Sequence, residues 1–128
     1  MGDYLRERAV EPDLVLCSTA VRARQTLDLL ELSDASEVLL ERELYGADAD
    51  DLLARLNAVD DATTSVLVIG HNPCIQEAAL LLAAEPNGLN EKFPTAALAD
   101  LRLAIESWTE VAPGVARLHA LVTPKNLA

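Results

Sequence analysis

Two uninterrupted apolar runs, Leu14-Val15-Leu16-Cys17 and Val66-Leu67-Val68-Ile69, stand out along the chain. Runs of this length predict strands covered on both faces, as in a parallel sheet. Each is followed by a turn and then by helical periodicity. Ala23, Leu27 and Leu30 share one face after the first run, and Ile75, Ala78, Ala79, Leu82 and Ala83 share one after the second. Asn72-Pro73 offers the second of these helices an N-cap and a proline at its first position. Between the two units, Val38-Leu39-Leu40 predicts a third short strand. Asp48 then caps a helix bearing Leu52, Leu53 and Leu56, with Asp50 and Asp51 well placed in its first turn. Strand and helix alternate three times, which predicts an α/β fold with a mostly parallel sheet and helices on both faces.

The last third has a different period. Ala99, Leu101, Leu103 and Ile105 alternate with Asp100, Arg102 and Ala104, the pattern of a strand with one wetter face. Ala112-Pro113-Gly114 predicts a turn, and Val115 to Val122 a final strand. The two strands are expected to form an antiparallel pair at one side of the sheet. Residues 85–94 form the longest predicted loop, a candidate lid. Residues 1–9 read as the end of a helix with no strand before it. Either that helix simply starts there, or the sequence begins late. With no repeat and no linker, residues 1–128 are expected to form a single domain.

Composition narrows the function. Half of the 128 residues are hydrophobic, and 10 basic against 21 acidic side chains leave a net charge of −11 at pH 7. Such a chain is repelled by nucleic acid and by anionic membrane surfaces, so neither is an expected partner. No apolar run approaches membrane-spanning length, and the first residues carry no secretory or acylation signal. Cys17 and Cys74 have no paired spacing and no neighbouring histidine, which argues against both a disulfide framework and a zinc site. The expectation is a reduced, soluble, cytoplasmic protein.

Ligands of open parallel sheets bind where the loops leave the C-terminal strand ends. Three predicted loops leave that edge: Ser18 to Arg24, Glu41 to Gly46, and Gly70 to Pro73. Arg22 and Arg24 fall in the first turn of a helix, where the macrodipole disfavours cations. A bound anion would relieve that conflict; solvation, or pairing with Asp28 or Glu31, is the plainer alternative. His71 follows a buried strand and precedes a capped helix, with Gly70 allowing close backbone approach. A neutral imidazole there could act as a base, and a protonated one could bind phosphate. Glu41 and Glu43 are either site carboxylates or part of a solvated charged stretch. His119, among Leu118, Ala120 and Leu121, is expected to be buried and structural. Cys17 and Arg22 or Arg24 have the wrong spacing for a cysteine-phosphatase loop. Cys74 is either a thiol activated near a helix start or a small buried side chain.

Four segments carry a family resemblance: Leu14 to Thr26, Glu43-Leu44-Tyr45, Val66 to Pro73, and Phe93-Pro94-Thr95-Ala96-Ala97. Taken in order, they resemble the histidine phosphatase superfamily (phosphoglycerate mutase-like), specifically its SixA-type phosphohistidine phosphatases. The resemblance covers nearly the whole chain. It implies that Arg22 grips phosphoryl oxygens and that His71 holds the phosphoryl group and steadies the transition state. It also implies that Glu43, or Glu41 by a shifted alignment, lies where some relatives keep a general acid, and that Thr95 borders the substrate entrance. The implied partner is a phosphorylated protein (phosphohistidine) or a small phosphomonoester, and no cofactor is implied. Oligomeric state is not legible.

The departure from the family is large. Relatives attack phosphorus with a histidine in an Arg-His motif after their first strand, and this sequence has no Arg-His pair. A strand, its loop and most of a helix are expected to be missing, roughly 30–45 residues for one crossover unit. The missing strand would lie beside the one that leads to His71, leaving an open sheet edge prone to aggregation or strand capture. Three readings follow. The first is a phosphatase working through a phosphohistidine intermediate, with this chain inactive for want of its nucleophile. The second is a non-catalytic phosphate- or phosphoprotein-binding module. The third is an α/β fragment without a site.

Overall fold

The computed structural model describes residues 12–30, 32, 36–71, 74–85 and 98–122. They fall into two compact units, Met1–Gly46 with Ala62–His71 and Ala47–Asp61 with Asn72–Ala128. The proposed opening helix, the 85–94 loop beyond Glu85, the Asn72-Pro73 cap and Thr95 lie outside the described residues.

The first unit is a parallel three-stranded sheet. Strands β1 (Leu14–Ser18), β2 (Glu37–Glu41) and β3 (Val66–Ile69) take the order β2-β1-β3, and helix α1 (Val21–Leu30) follows β1. All five residues of β1 are buried, and Val15, Leu16, Cys17 and Ser18 have no exposed surface. Burial on both faces is therefore confined to the central strand. In β2, Val38 and Leu40 are 42% and 51% exposed, and in β3 only Ile69 is fully buried, because both strands are sheet edges. Among the described residues nothing pairs the second edge of β3. Ala23 and Leu30 are the buried residues of α1, which packs against β1 and β3.

Strand register is fixed at the N-terminal end of this sheet. Asp13 accepts hydrogen bonds from the Thr64 backbone N–H and hydroxyl at 2.7 and 2.6 Å, and its own N–H donates to Ser65 Oγ at 3.0 Å. The Glu37 N–H donates to the Asp13 carbonyl at 3.0 Å, and Ser36 Oγ donates to the Pro12 carbonyl. With the three strands tied at the bottom, the residues at the top are level. Ser18 aligns with Glu41, and Cys17 aligns with Ile69 two residues before His71.

The second unit contains helices α2 (Ala49–Asn57) and α3 (Cys74–Leu82) and an antiparallel pair, β4 (Leu98–Leu103) and β5 (Ala116–Val122). A reciprocal Asp48–Asp51 capping box starts α2, whose Leu52, Leu53 and Leu56 are buried as the periodicity requires. Asn57 Nδ2 donates to the carbonyls of Trp108 (3.0 Å) and Val111 (2.9 Å), holding the turn before β5 against the end of α2. Ala79 of α3 packs with Ile75, Leu80, Ala83, Ala99, Leu101 and Leu118. The Pro113-Gly114 turn is present, with Gly114 at φ +80° and the Val115 N–H donating to the Ala112 carbonyl.

The expected antiparallel pair is present and, among the described residues, is a sheet of its own. One expectation needs correction here. His119 is exposed, not buried. Successive side chains of a strand face opposite ways, so the half-buried Leu118 and Ala120 turn inward and His119 turns out with Arg117. His119 also stands at a β-bulge, skipped where Leu101 pairs Leu118 and Asp100 pairs Ala120.

Candidate functional site

The C-terminal edge of the parallel sheet gathers the candidate residues of the first unit. Ser18, the last residue of β1, is fully buried, and its hydroxyl lies 2.9 Å from His71 Nε2. The Ala20 N–H donates to the same oxygen at 3.3 Å, shaping the turn into α1. His71 therefore sits against the β1–α1 turn, although 53 residues separate the two partners.

Arg22 is the second residue of α1 and is exposed, as is Arg24. The first turn of this helix has no acidic side chain. Among the described residues Arg22 has no carboxylate partner, and Asp28 forms no ion pair with either arginine. The unfavourable placement of cations at a helix start thus stands uncompensated, the condition in which an anion binds well.

After β2 the chain makes a short 3-10 turn, Arg42–Leu44, and buried Leu44 packs against β1. That anchor leaves Arg42 and Glu43 exposed, while Glu41 is half-buried at the level of Ser18. Tyr45 is 66% exposed, and its ring meets the His71 imidazole edge-on with centroids 5.8 Å apart. Gly46 follows at φ +84°, a left-handed conformation that side chains disfavour.

Neither thiol is activated. Burial pushes the Cys17 thiol up from its ordinary value, against an opposing pull from Arg24. Burial also pushes the Cys74 thiol up, and the carboxylates of Asp48, Glu77 and Asp51 add to the effect. The direction of the Cys74 shift, set first by burial and then by these carboxylates, favours the small buried side chain over an activated thiol. Among the described residues no cluster of three or more His, Cys, Asp or Glu side chains could hold a metal ion. No helix among them is long and apolar enough to cross a membrane.

Sequence reasoning brought Arg22, Glu41, Glu43 and His71 to this edge but assigned no partner to His71. Ser18 and Tyr45 are those partners. A hydroxyl closing an otherwise apolar central strand was the signal available for Ser18. Ser18 links His71 to the turn that begins the Arg22-bearing helix, and neither Arg22 nor Glu43 has a described contact with His71.

The fold and this edge define a class: an α/β protein with a short parallel sheet whose loops assemble a histidine, a serine and a cationic helix start. No family model matches the chain. A protein of Mycobacterium tuberculosis (strain H37Rv) with no assigned function is 40% identical over 131 residues, covering 97% of this chain and 81% of its own length. The phosphohistidine phosphatase SixA of Escherichia coli (strain K12) is 35% identical over 108 residues, covering 80% of this chain and 65% of its own. A structure from Nakamurella multipartitia, provisionally assigned as a SixA phosphohistidine phosphatase, superposes with a TM-score of 0.85 at 32% identity, covering 96% of this chain and 77% of that one. The protein histidine phosphatase SixA complexed with tungstate superposes with a TM-score of 0.75 at 32% identity over 99% of this chain and 78% of that one. The chain belongs to the SixA-type phosphohistidine phosphatases of the histidine phosphatase superfamily.

Proposed function

We propose that the edge formed by Arg22 and His71 holds the phosphoryl group of a phosphohistidine or small phosphomonoester for hydrolysis through a phosphohistidine intermediate. The carrying observation is the 2.9 Å contact between His71 Nε2 and Ser18, which sets the imidazole against the turn that begins the arginine-bearing helix. Arg22 would supply paired charge-assisted hydrogen bonds to phosphoryl oxygens. His71 would donate another and oppose the charge that builds up in the transition state. Glu43, exposed on its 3-10 turn, is the candidate proton donor to the leaving group, with half-buried Glu41 as its alternative. A phosphohistidine leaving group has a ring nitrogen that can be protonated without a dedicated acid.

Attack on phosphorus requires the family's Arg-His nucleophile, and the only imidazoles among these 128 residues are those of His71 and His119. His119 stands exposed on β5 of the second unit, in a strand pair without site residues. The 128 residues alone are accordingly expected to bind a phosphoryl group without turning it over, and hydrolysis is expected only when an Arg-His segment is supplied. The cytoplasm is the proposed location.

The test is calorimetric titration with tungstate beside a phosphatase assay on a phosphohistidine peptide and p-nitrophenyl phosphate. Binding that is lost in both Arg22→Ala and His71→Ala, without turnover, supports the reading. Turnover that survives His71→Ala rules this edge out as the site.

A further inference from the structure

Ser18 carries a consequence beyond phosphate holding, although it rests on the reading of His71 as a phosphoryl ligand. We propose that Ser18 is a positioning residue that locks the tautomer of His71, so that the imidazole always offers Nδ1–H to its ligand.

The argument is a count of protons and lone pairs. A serine hydroxyl has one proton to donate and two lone pairs. The Ala20 N–H occupies one lone pair of Ser18 Oγ at 3.3 Å and biases the orientation of the hydroxyl. The Ser18 side chain has no exposed surface, so water cannot compete for what is left. Its remaining partner is His71 Nε2 at 2.9 Å. When the imidazole is neutral, a proton on Nε2 would take the second lone pair and leave the buried hydroxyl proton without an acceptor. Ser18 O–H therefore donates to Nε2, and the ring proton resides on Nδ1. When the imidazole is protonated, Nε2–H donates to the free lone pair of Ser18, and Nδ1 keeps its own proton. In both states Nε2 is engaged with the serine and Nδ1–H is the ring's remaining donor.

The arrangement suits an anion. A neutral histidine free to exchange tautomers presents an acceptor part of the time, and an acceptor facing a phosphoryl oxygen repels it. Fixing the proton on Nδ1 removes that state, so the ligand no longer has to select one tautomer from two. Tyr45, edge-on to the ring at 5.8 Å, adds a second restraint on ring rotation. Ser18 itself acts only through His71, because its hydroxyl is committed on both sides.

Long-range proton–nitrogen correlation spectra of the 15N-labelled chain, recorded with the His71 ring neutral, test this directly. The expected wild-type spectrum shows a protonated, pyrrole-type Nδ1 and a bare, pyridine-type Nε2. A proton found on Nε2 would overturn the proposal without need of a variant. In Ser18→Ala both nitrogens should shift toward intermediate values as the tautomers mix, and Ser18→Thr, which keeps the hydroxyl, should restore the wild-type signature. Tungstate affinity should fall about fivefold in Ser18→Ala, the scale of one lost positioning hydrogen bond, and should recover in Ser18→Thr. An unchanged tautomer in Ser18→Ala would overturn the role of Ser18. Absence of tungstate binding to the wild type alongside the expected tautomer would instead count against the phosphoryl-holding reading.

Discussion

Replacing Arg22 by alanine should move stability and binding in opposite directions. Arg22 is the second residue of α1, exposed, in a first turn without acidic side chains. A cation there is opposed by the helix dipole by about 0.3–1 kcal/mol. Alanine and arginine differ little in helix propensity, so the substitution carries almost no backbone cost. In the absence of ligand the variant should therefore be more stable by up to about 1 kcal/mol, a Tm rise of at most about 5 °C for a chain of this size. Bound oxyanion reverses the sign. Charge-assisted hydrogen bonds from the guanidinium contribute about 1.5–3 kcal/mol, so tungstate affinity should fall roughly 10- to 160-fold. Thermal melts of wild type and Arg22→Ala, with and without tungstate, read both quantities in one assay. The reasoning fails if the variant melts lower without ligand, which would mean that Arg22 has a structural partner. It fails equally if tungstate stabilises both proteins alike.

Further predictions concern the elements that hold the site. Hydrogen bonds from Thr64 keep the Asp13 carboxyl below its ordinary range. Its contribution to stability is therefore present at neutral pH and lost as pH falls through that lowered value, so Asp13→Asn should show a shallower fall in Tm below about pH 4; identical acid limbs would contradict this. Asp48→Ala removes the capping box of α2 and should cost about 1 kcal/mol by urea denaturation. Asn57→Ala removes the amide donor to the carbonyls of Trp108 and Val111 and should cost about 1–3 kcal/mol. Cys17 and Cys74, both raised by burial, should alkylate far more slowly at pH 7.5 than a free thiol until the chain is unfolded; rapid labelling of Cys74 would contradict the site electrostatics.

Local patterns in the sequence carried much of the fold. The faces of the three described α-helices follow from their periodicity, because each meets a sheet or a neighbour along one stripe. The apolar run of β1 predicted a strand buried on both faces. The equally apolar run of β3 predicted the same and is half-exposed, because an edge position depends on strand order rather than on the strand's own residues. His119 shows a different failure. Its apolar neighbours in sequence suggested burial, but alternation turns them to the opposite face, and that alternation was already readable from Arg117 to Ala120.

The proposed site was half legible. Arg22 and His71 each break a local expectation, one as a cation at a helix start and the other as a polar residue right after an apolar strand, so single positions sufficed to nominate them. The Ser18–His71 contact spans 53 residues and depends on the register set by Asp13, Thr64 and Ser65 at the far end of the sheet. No local pattern encodes such a pairing. It emerges once three parallel strands are aligned.

The most direct test of the central claim is a crystal of this chain grown with tungstate, whose tungsten is located by its anomalous scattering. The account predicts a tungsten peak at the C-terminal edge of the parallel sheet, its oxygens within hydrogen-bond distance of the Arg22 guanidinium and of His71 Nδ1. A peak elsewhere on the molecule, or contacts to neither side chain, would contradict it.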